Sequence, residues 1–202
     1  MKKSDNISSS NDSPESIITN VVCTANLGRT LNIKEISMRC TNVIYKEKRN
    51  QIIISEKSPK ATVMIFQSGK LICTGAKSEE DSTMIIKKVI KQIKKLGYDV
   101  KLNDFKIANI VATYDAKFKI NLRTLYDYLS TNEKKNIVHY EPECFPAIKY
   151  SMDNPKVNVS IFSSGKIILV GAKEKVDINS ACNKIYPLLL KFRNSSQEKK
   201  DK

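Results

Sequence analysis

The stretch IFQSGKLICTGAK at residues 65–77 returns almost unchanged as IFSSGKIILVGAK at residues 161–173. Nine of the thirteen positions are identical, 96 residues apart. In each copy SGK reads as a hairpin turn in which the glycine can take a positive φ without steric penalty, and the flanking runs alternate as strands do. The likeness spreads outward from there. NVVCTANL from Asn20 matches NIVATYDA from Asn109 at an offset of 89, Tyr45 and Asn50 match Tyr140 and Phe145 at 95, and Pro59-Lys60 matches Pro155-Lys156 at 96. Most of the slippage is assigned to an extra polar loop, STNEKKN at 130–136. A long self-similar unit present twice is a tandem duplication, with copy one over residues 18–105 and copy two over 106–193. Residues 1–17 and 194–202 are polar and read as disordered tails.

Periodicity orders the elements within a copy. NVVCTANL alternates as a strand, and Asn32 is placed to cap a short helix carrying Ile33, Ile36 and Cys40 on one face, with Glu35 as the reciprocal partner of a capping box. Asn121 does the same ahead of Leu122, Leu125 and Leu129. VIYK, NQIIIS, ATVMIFQ and KLICTG read as four further strands. A longer helix starts at Ser78, with Glu79, Glu80 and Asp81 in its first turn, where carboxylates suit the dipole. Its apolar stripe is Ile86, Val89, Ile90, Ile93 and Leu96, which leaves Lys87, Lys88, Lys91, Lys94 and Lys95 facing outward. The second copy repeats the stripe through Ala181, Ile185, Leu188, Leu189 and Phe192, with a kink expected at Pro187. The unit is therefore β-α-β-β-β-β-α, an α+β fold in which helices cover one face of an antiparallel sheet and leave the other open.

Strand parity assigns side chains to the open face. In copy one these are Asn20, Val22, Thr24, Thr62, Met64, Phe66, Ile72 and Thr74; in copy two they are Asn109, Val111, Thr113, Asn158, Ser160, Phe162, Ile168 and Val170. Lys70, Lys77, Lys166 and Lys173 border that surface. An uncharged, partly apolar sheet rimmed by lysines suits the minor groove, where A·T pairs present acceptors and a shape. The overall charge of +14 points the same way, toward a polyanionic partner.

Other classes fit less well. No apolar run reaches the length of a membrane span, and the first residues lack the apolar centre of a signal peptide, so an intracellular protein is expected. Five scattered cysteines without a C-x-x-C pair suggest reduced, mostly buried thiols, and neither a disulfide framework nor a metal site. The single histidine, His139, has no visible nucleophile arrangement around it, and TGAK is not a phosphate loop. No cofactor and no catalysis are expected.

The paired IF-x-SGK-x-x-x-x-GAK motifs, DFKIANIV at 104–111 and YEPECFP at 140–146 resemble the core of the TATA-binding protein family over roughly residues 18–193. The resemblance implies a pseudo-twofold saddle with a ten-stranded sheet, bound to A·T-rich duplex DNA by its concave side and to general transcription factors by its convex side, in the nucleus. It puts the family's wedge residues at Phe66, Phe145 and Phe162, with Asn50 at the fourth position. Asn20 and Asn109 match the central asparagines that donate to groove acceptors, Val22, Val111, Ile72 and Ile168 match apolar groove contacts, and Thr74 a hydroxyl contact. Arg49, Ser68, Lys70, Lys77, Ser164, Lys166 and Lys173 match phosphate-facing positions. Glu141 and Glu143 resemble the acidic stirrup offered to transcription factor IIB; the basic helix face from Lys87 to Lys95 reads as solvated or as a contact for factors such as IIA and the family's associated factors. Two DNA-free copies could also pair through the open face. The chain departs from the family at Asn50, at Val170 in place of a groove Thr, at Ser151 in place of a phosphate-contacting Arg, and at the polar Asn158 and Ser160. Those departures leave two alternatives open: a related factor with relaxed or lost TATA preference that acts mainly as a protein scaffold, and a single-stranded nucleic-acid platform stacking bases on exposed rings.

Overall fold

The computed structural model describes residues 15–133 and 137–194. The expected tails therefore fall almost wholly outside the described residues. Copy one comprises β1 (Ile17–Asn26), α1 (Ile33–Arg39), β2 (Val43–Lys46), β3 (Gln51–Lys57), β4 (Lys60–Phe66), β5 (Lys70–Ala76) and α2 (Glu79–Lys95). Copy two repeats the order with β6 (Asn103–Asp115), α3 (Leu122–Asn132), β7 (Val138–His139), β8 (Ala147–Met152), β9 (Val157–Phe162), β10 (Lys166–Ala172) and α4 (Lys175–Lys191). All ten strands form one antiparallel sheet in the order β2-β3-β4-β5-β1-β6-β10-β9-β8-β7. The two copies join at its centre, where β1 and β6 pair.

Parity decides what each strand buries. Val21, Cys23, Ala25, Ala61, Val63, Ile65, Leu71 and Cys73 are buried under α1 and α2, while their sheet neighbours Val22, Thr62, Met64, Ile72 and Thr74 are only half-buried. Copy two builds its own core from Ile110, Ala112, Val159, Ile161, Ile167 and Leu169 beneath α3 and α4. Ile107 packs against both cores, so the seam is tied from the helix side as well. The long helices contribute Ile85, Ile86, Val89 and Ile93 in α2, and Ile178, Ala181, Cys182, Ile185 and Leu189 in α4. Pro187 lies inside α4, which continues to Lys191.

The turns confirm why glycine stands in both SGK motifs. Gly69 and Gly165 have φ of +87° and +92°, and a Cβ on either would collide with a backbone carbonyl oxygen, of Arg29 or of Phe118. Caps are as expected for the donors: Asn32 accepts from the Glu35 N–H at 3.3 Å, Asn121 from Thr124 at 3.3 Å, and Ser78 from Asp81 at 3.0 Å. The reciprocal half of the box at Glu35 is not formed. Its carboxylate instead accepts from Arg39 and from the Tyr98 hydroxyl, each at 2.9 Å.

One expectation is corrected. The polar stretch 130–136 is not simply an inserted loop, because Ser130–Asn132 continue α3; Thr131 and Asn132 side chains donate to carbonyls one turn back, which lets a polar run stay helical. Residues 134–136 lie outside the described residues. The pairing of Asn50 with Phe145 falls inside a loop of unequal length in the two copies. Gln51 pairs with Phe66 as Ala147 pairs with Phe162, so from β3 onward equivalent residues stand 96 apart. On the other side of the loop β2 and β7 stand 95 apart, Val43 with Val138 and Ile44 with His139, so Asn50 matches Phe145 counted from β2 and Arg49 matches it counted from β3. The mismatch arises because the loop joining β2 to β3 is one residue shorter than the one joining β7 to β8.

Candidate nucleic-acid interface

The open face is organised about the seam. Asn20 faces Val111, and Val22 faces Asn109, so the two asparagines are placed symmetrically across β1 and β6. Each is clamped in the same way: the Asn20 Oδ1 accepts the Gly75 N–H at 2.7 Å, and the Asn109 Oδ1 accepts the Gly171 N–H at 2.7 Å. Because the oxygen is engaged by the backbone, the amide must present its NH2 outward as a donor. Thr74 adds a 3.4 Å contact to Asn20 that Val170 cannot make to Asn109. Thr24 sits on the same face, with its hydroxyl buried and without a hydrogen-bond partner.

Aromatic rings mark the outer part of copy two. Phe145 and Phe162 meet edge to face with centroids 5.9 Å apart, and the Lys149 ammonium lies 4.9 Å from the Phe145 centroid. In copy one Phe66 occupies the matching position, but the short loop brings it Arg49 and Asn50 in place of a second ring. Asn50 takes a left-handed conformation, φ 44° and ψ 51°, that a bulky residue resists.

Cross-strand rows expose a further asymmetry that the parity argument left unread. In copy one the row Ile44, Ile53, Met64, Ile72 runs across β2, β3, β4 and β5 on the open face. The matching row of copy two, across β7, β8, β9 and β10, is His139, Lys149, Ser160, Ile168. Beside it Ser151 donates to the Asn158 Oδ1 at 2.8 Å. Lys149 could have been found from the sequence, since it stands 96 residues from Ile53 and alternates with the buried Ile148.

The borders are basic and symmetric. Arg49, Lys70, Lys77, Lys166 and Lys173 are exposed, as are Ser68 and Ser164, whose hydroxyls each accept the N–H of the lysine two residues on at 3.4 Å. On the helix side the lysines of α2 are exposed, although Lys88 is committed to an ion pair with Glu56, a largely buried carboxylate. Glu141 and Glu143 are exposed in the loop before β8. All five thiols are free; Cys23, Cys73 and Cys182 are buried, Cys40 half-buried and Cys144 exposed. The Cys23 thiol and burial push the Cys73 thiol up from the usual range, while its hydrogen bond with Cys73 draws Cys23 down. Among the described residues no acidic, His or Cys cluster could hold a metal ion, and no helix is long and apolar enough to cross a membrane.

This geometry accompanies a direct match to known proteins. The family model described as transcription factor TFIID, or TATA-binding protein, matches residues 15–96 and 104–192. The chain belongs to the TATA-binding protein family. It is 45% identical over 177 residues to a TATA-box-binding protein of Acetabularia peniculus, covering 87% of this chain and 90% of that protein. A Tetrahymena thermophila TATA-box-binding protein is 46% identical over 177 residues, covering 87% of this chain and 70% of the relative. Among solved structures, the Methanococcus jannaschii TBP superposes with a TM-score of 0.76 at 38% identity, covering 88% of this chain and 99% of that one. The ten-stranded sheet is thus the family's saddle, with its open face concave and its helices convex. Membership places the chain among DNA-binding transcription proteins and not among enzymes.

Proposed function

We propose that the concave face binds the minor groove of A·T-rich, TATA-like duplex DNA and bends it, and that the convex side recruits initiation factors in the nucleus. The observation that carries this reading is the ring pair Phe145/Phe162, held edge to face on an open sheet face rimmed by cations. Apolar wedges of this kind enter a base step, unstack it and kink the duplex, and the bend brings more DNA against the protein. Asn20 and Asn109 supply outward amides at the centre, where both A·T orientations offer N3 and O2 acceptors. Val22, Val111, Ile72 and Ile168 provide the apolar floor between, while Arg49, Lys70, Lys77, Lys166 and Lys173 meet phosphates. Glu141 and Glu143 present an acidic loop to a IIB-like factor, and the α2 lysines a basic face to a IIA-like or associated factor. Without DNA, the same apolar face is the one through which two copies would pair.

Fluorescence transfer between the ends of a TATA-like duplex tests this. Phe162→Ala should reduce the bend and weaken binding about fivefold or more, since a contact between a base and an aromatic ring is worth roughly 1–3 kcal/mol, whereas Lys91→Ala should leave both unchanged. Equal losses from the two variants would defeat the saddle reading. Tighter binding to the single strand than to the duplex would favour the stacking platform, and retained factor binding without DNA affinity would favour the scaffold.

A further inference from the structure

The two halves of the concave face are related by the same register, yet one row has changed chemistry. Ile53 and Met64 are neighbours on β3 and β4; their equivalents on β8 and β9 are Lys149 and Ser160. Resting on the minor-groove reading above, we infer that the halves discriminate unequally: copy one rejects G·C pairs, and copy two tolerates them while carrying the intact wedge.

The argument turns on one atom. A·T and G·C pairs share acceptors in the minor groove, but guanine adds its exocyclic N2 amine, a donor that projects from the floor. Against the Ile53–Met64 row that amine loses water and meets only hydrocarbon and the weakly accepting Met64 thioether, and an unsatisfied donor weakens binding on the order of tenfold to a hundredfold. Against copy two it meets the Ser160 hydroxyl, which can accept, with Asn158 and Ser151 alongside. The Lys149 ammonium donates to cytosine O2 or guanine N3 as readily as to thymine O2 or adenine N3. Its position 4.9 Å from the Phe145 ring puts that tolerance beside the wedge, where deformable TA and CA/TG steps both suit kinking. Copy two bends and copy one discriminates.

Site selection from random duplexes with the full chain should return a motif with one half confined to A·T and the other admitting G·C. A single guanine in the strict half should weaken binding about tenfold or more, and inosine, which lacks the N2 amine, should restore it. In the tolerant half neither base should matter by more than about threefold, on the same hydrogen-bond arithmetic. An iron chelate on the exposed Cys144, in a Cys40→Ser background, cleaves near copy two and must mark the tolerant half. Lys149→Ile/Ser160→Met, which writes the copy-one row into copy two, should make both halves strict. Two equally strict halves, cleavage beside the strict half, or a folded double variant that keeps its tolerance would each overturn the inference while leaving minor-groove binding intact. No A·T preference in either half would overturn both. The inosine and cleavage arms use unaltered concave residues, so they decide the matter even if the double variant fails to fold.

Discussion

Asn20 shows how little freedom the centre of the concave face has. Its oxygen is taken by Gly75, so only the NH2 is left to face a ligand. Asn20→Asp keeps the acceptor for Gly75 but removes the donor and adds charge near phosphates; the Kd for a TATA-like duplex should rise about fivefold or more, since a good polar groove contact is worth roughly 1–3 kcal/mol. Titration by fluorescence anisotropy checks this, and an unchanged Kd would mean the amide does not meet the groove. The missing fourth ring is also a single-residue question. Asn50→Phe would place a large side chain at φ 44°, which left-handed sterics penalise by roughly 1–2 kcal/mol. Arg49→Phe matches Phe145 counted from β3. It should enlarge the bend measured by fluorescence transfer, and this gain should vanish with Phe66→Ala because neighbouring rings act together. Asn50→Phe should lower the melting temperature without that gain.

Among the elements, α1 is held by an electrostatic latch. Glu35 accepts from Arg39 and Tyr98, and Arg39 also donates to the Leu96 carbonyl at 3.1 Å, joining α1 to the end of α2. The Tyr98 hydroxyl, with Arg39, holds the Glu35 carboxyl below its usual value. A depressed carboxylate stabilises the fold above its unfolded pKa and loses that contribution as pH falls through the folded one. Glu35→Gln should therefore melt below the wild type at neutral pH, and the gap should close below about pH 4. A gap constant from pH 7 to pH 3 would show that the charge contributes nothing. The strands and long helices were legible in the sequence because alternation and the 3.6 period follow directly from what each face buries. The first loop was not, for a physical reason: the aromatic count from Tyr45 and the strand register from Phe66 disagree by one residue, and only hydrogen-bonded pairing reveals which side of the loop is short. The end of α3 was misread because Ser130, Thr131 and Asn132 are turn formers whose side chains here bond back along the helix. Lys149 escaped notice because IKYS carries no motif; its meaning appears only beside Ile53.

At the level of the whole molecule, charge and shape act together. Five exposed cations border the concave sheet, matched across the seam except for Arg49. With about four or five phosphates neutralised, log K should fall against log salt with a slope of about −4. Binding to an A·T-rich duplex measured across a salt series checks this, and a slope near zero would remove the rim from the interface. The seam itself resembles the contact between two identical subunits, with Asn20 opposite Val111 and Val22 opposite Asn109. A true homodimer encodes each surface residue once and must display it twice, so any change that suits one end of an asymmetric target is imposed on the other end too. Fusing the two copies into one chain lifts that obligation: a substitution such as lysine at 149 can be tried at one end while isoleucine at 53 is kept at the other, and a symmetric ancestor's descendants acquire a direction along the duplex.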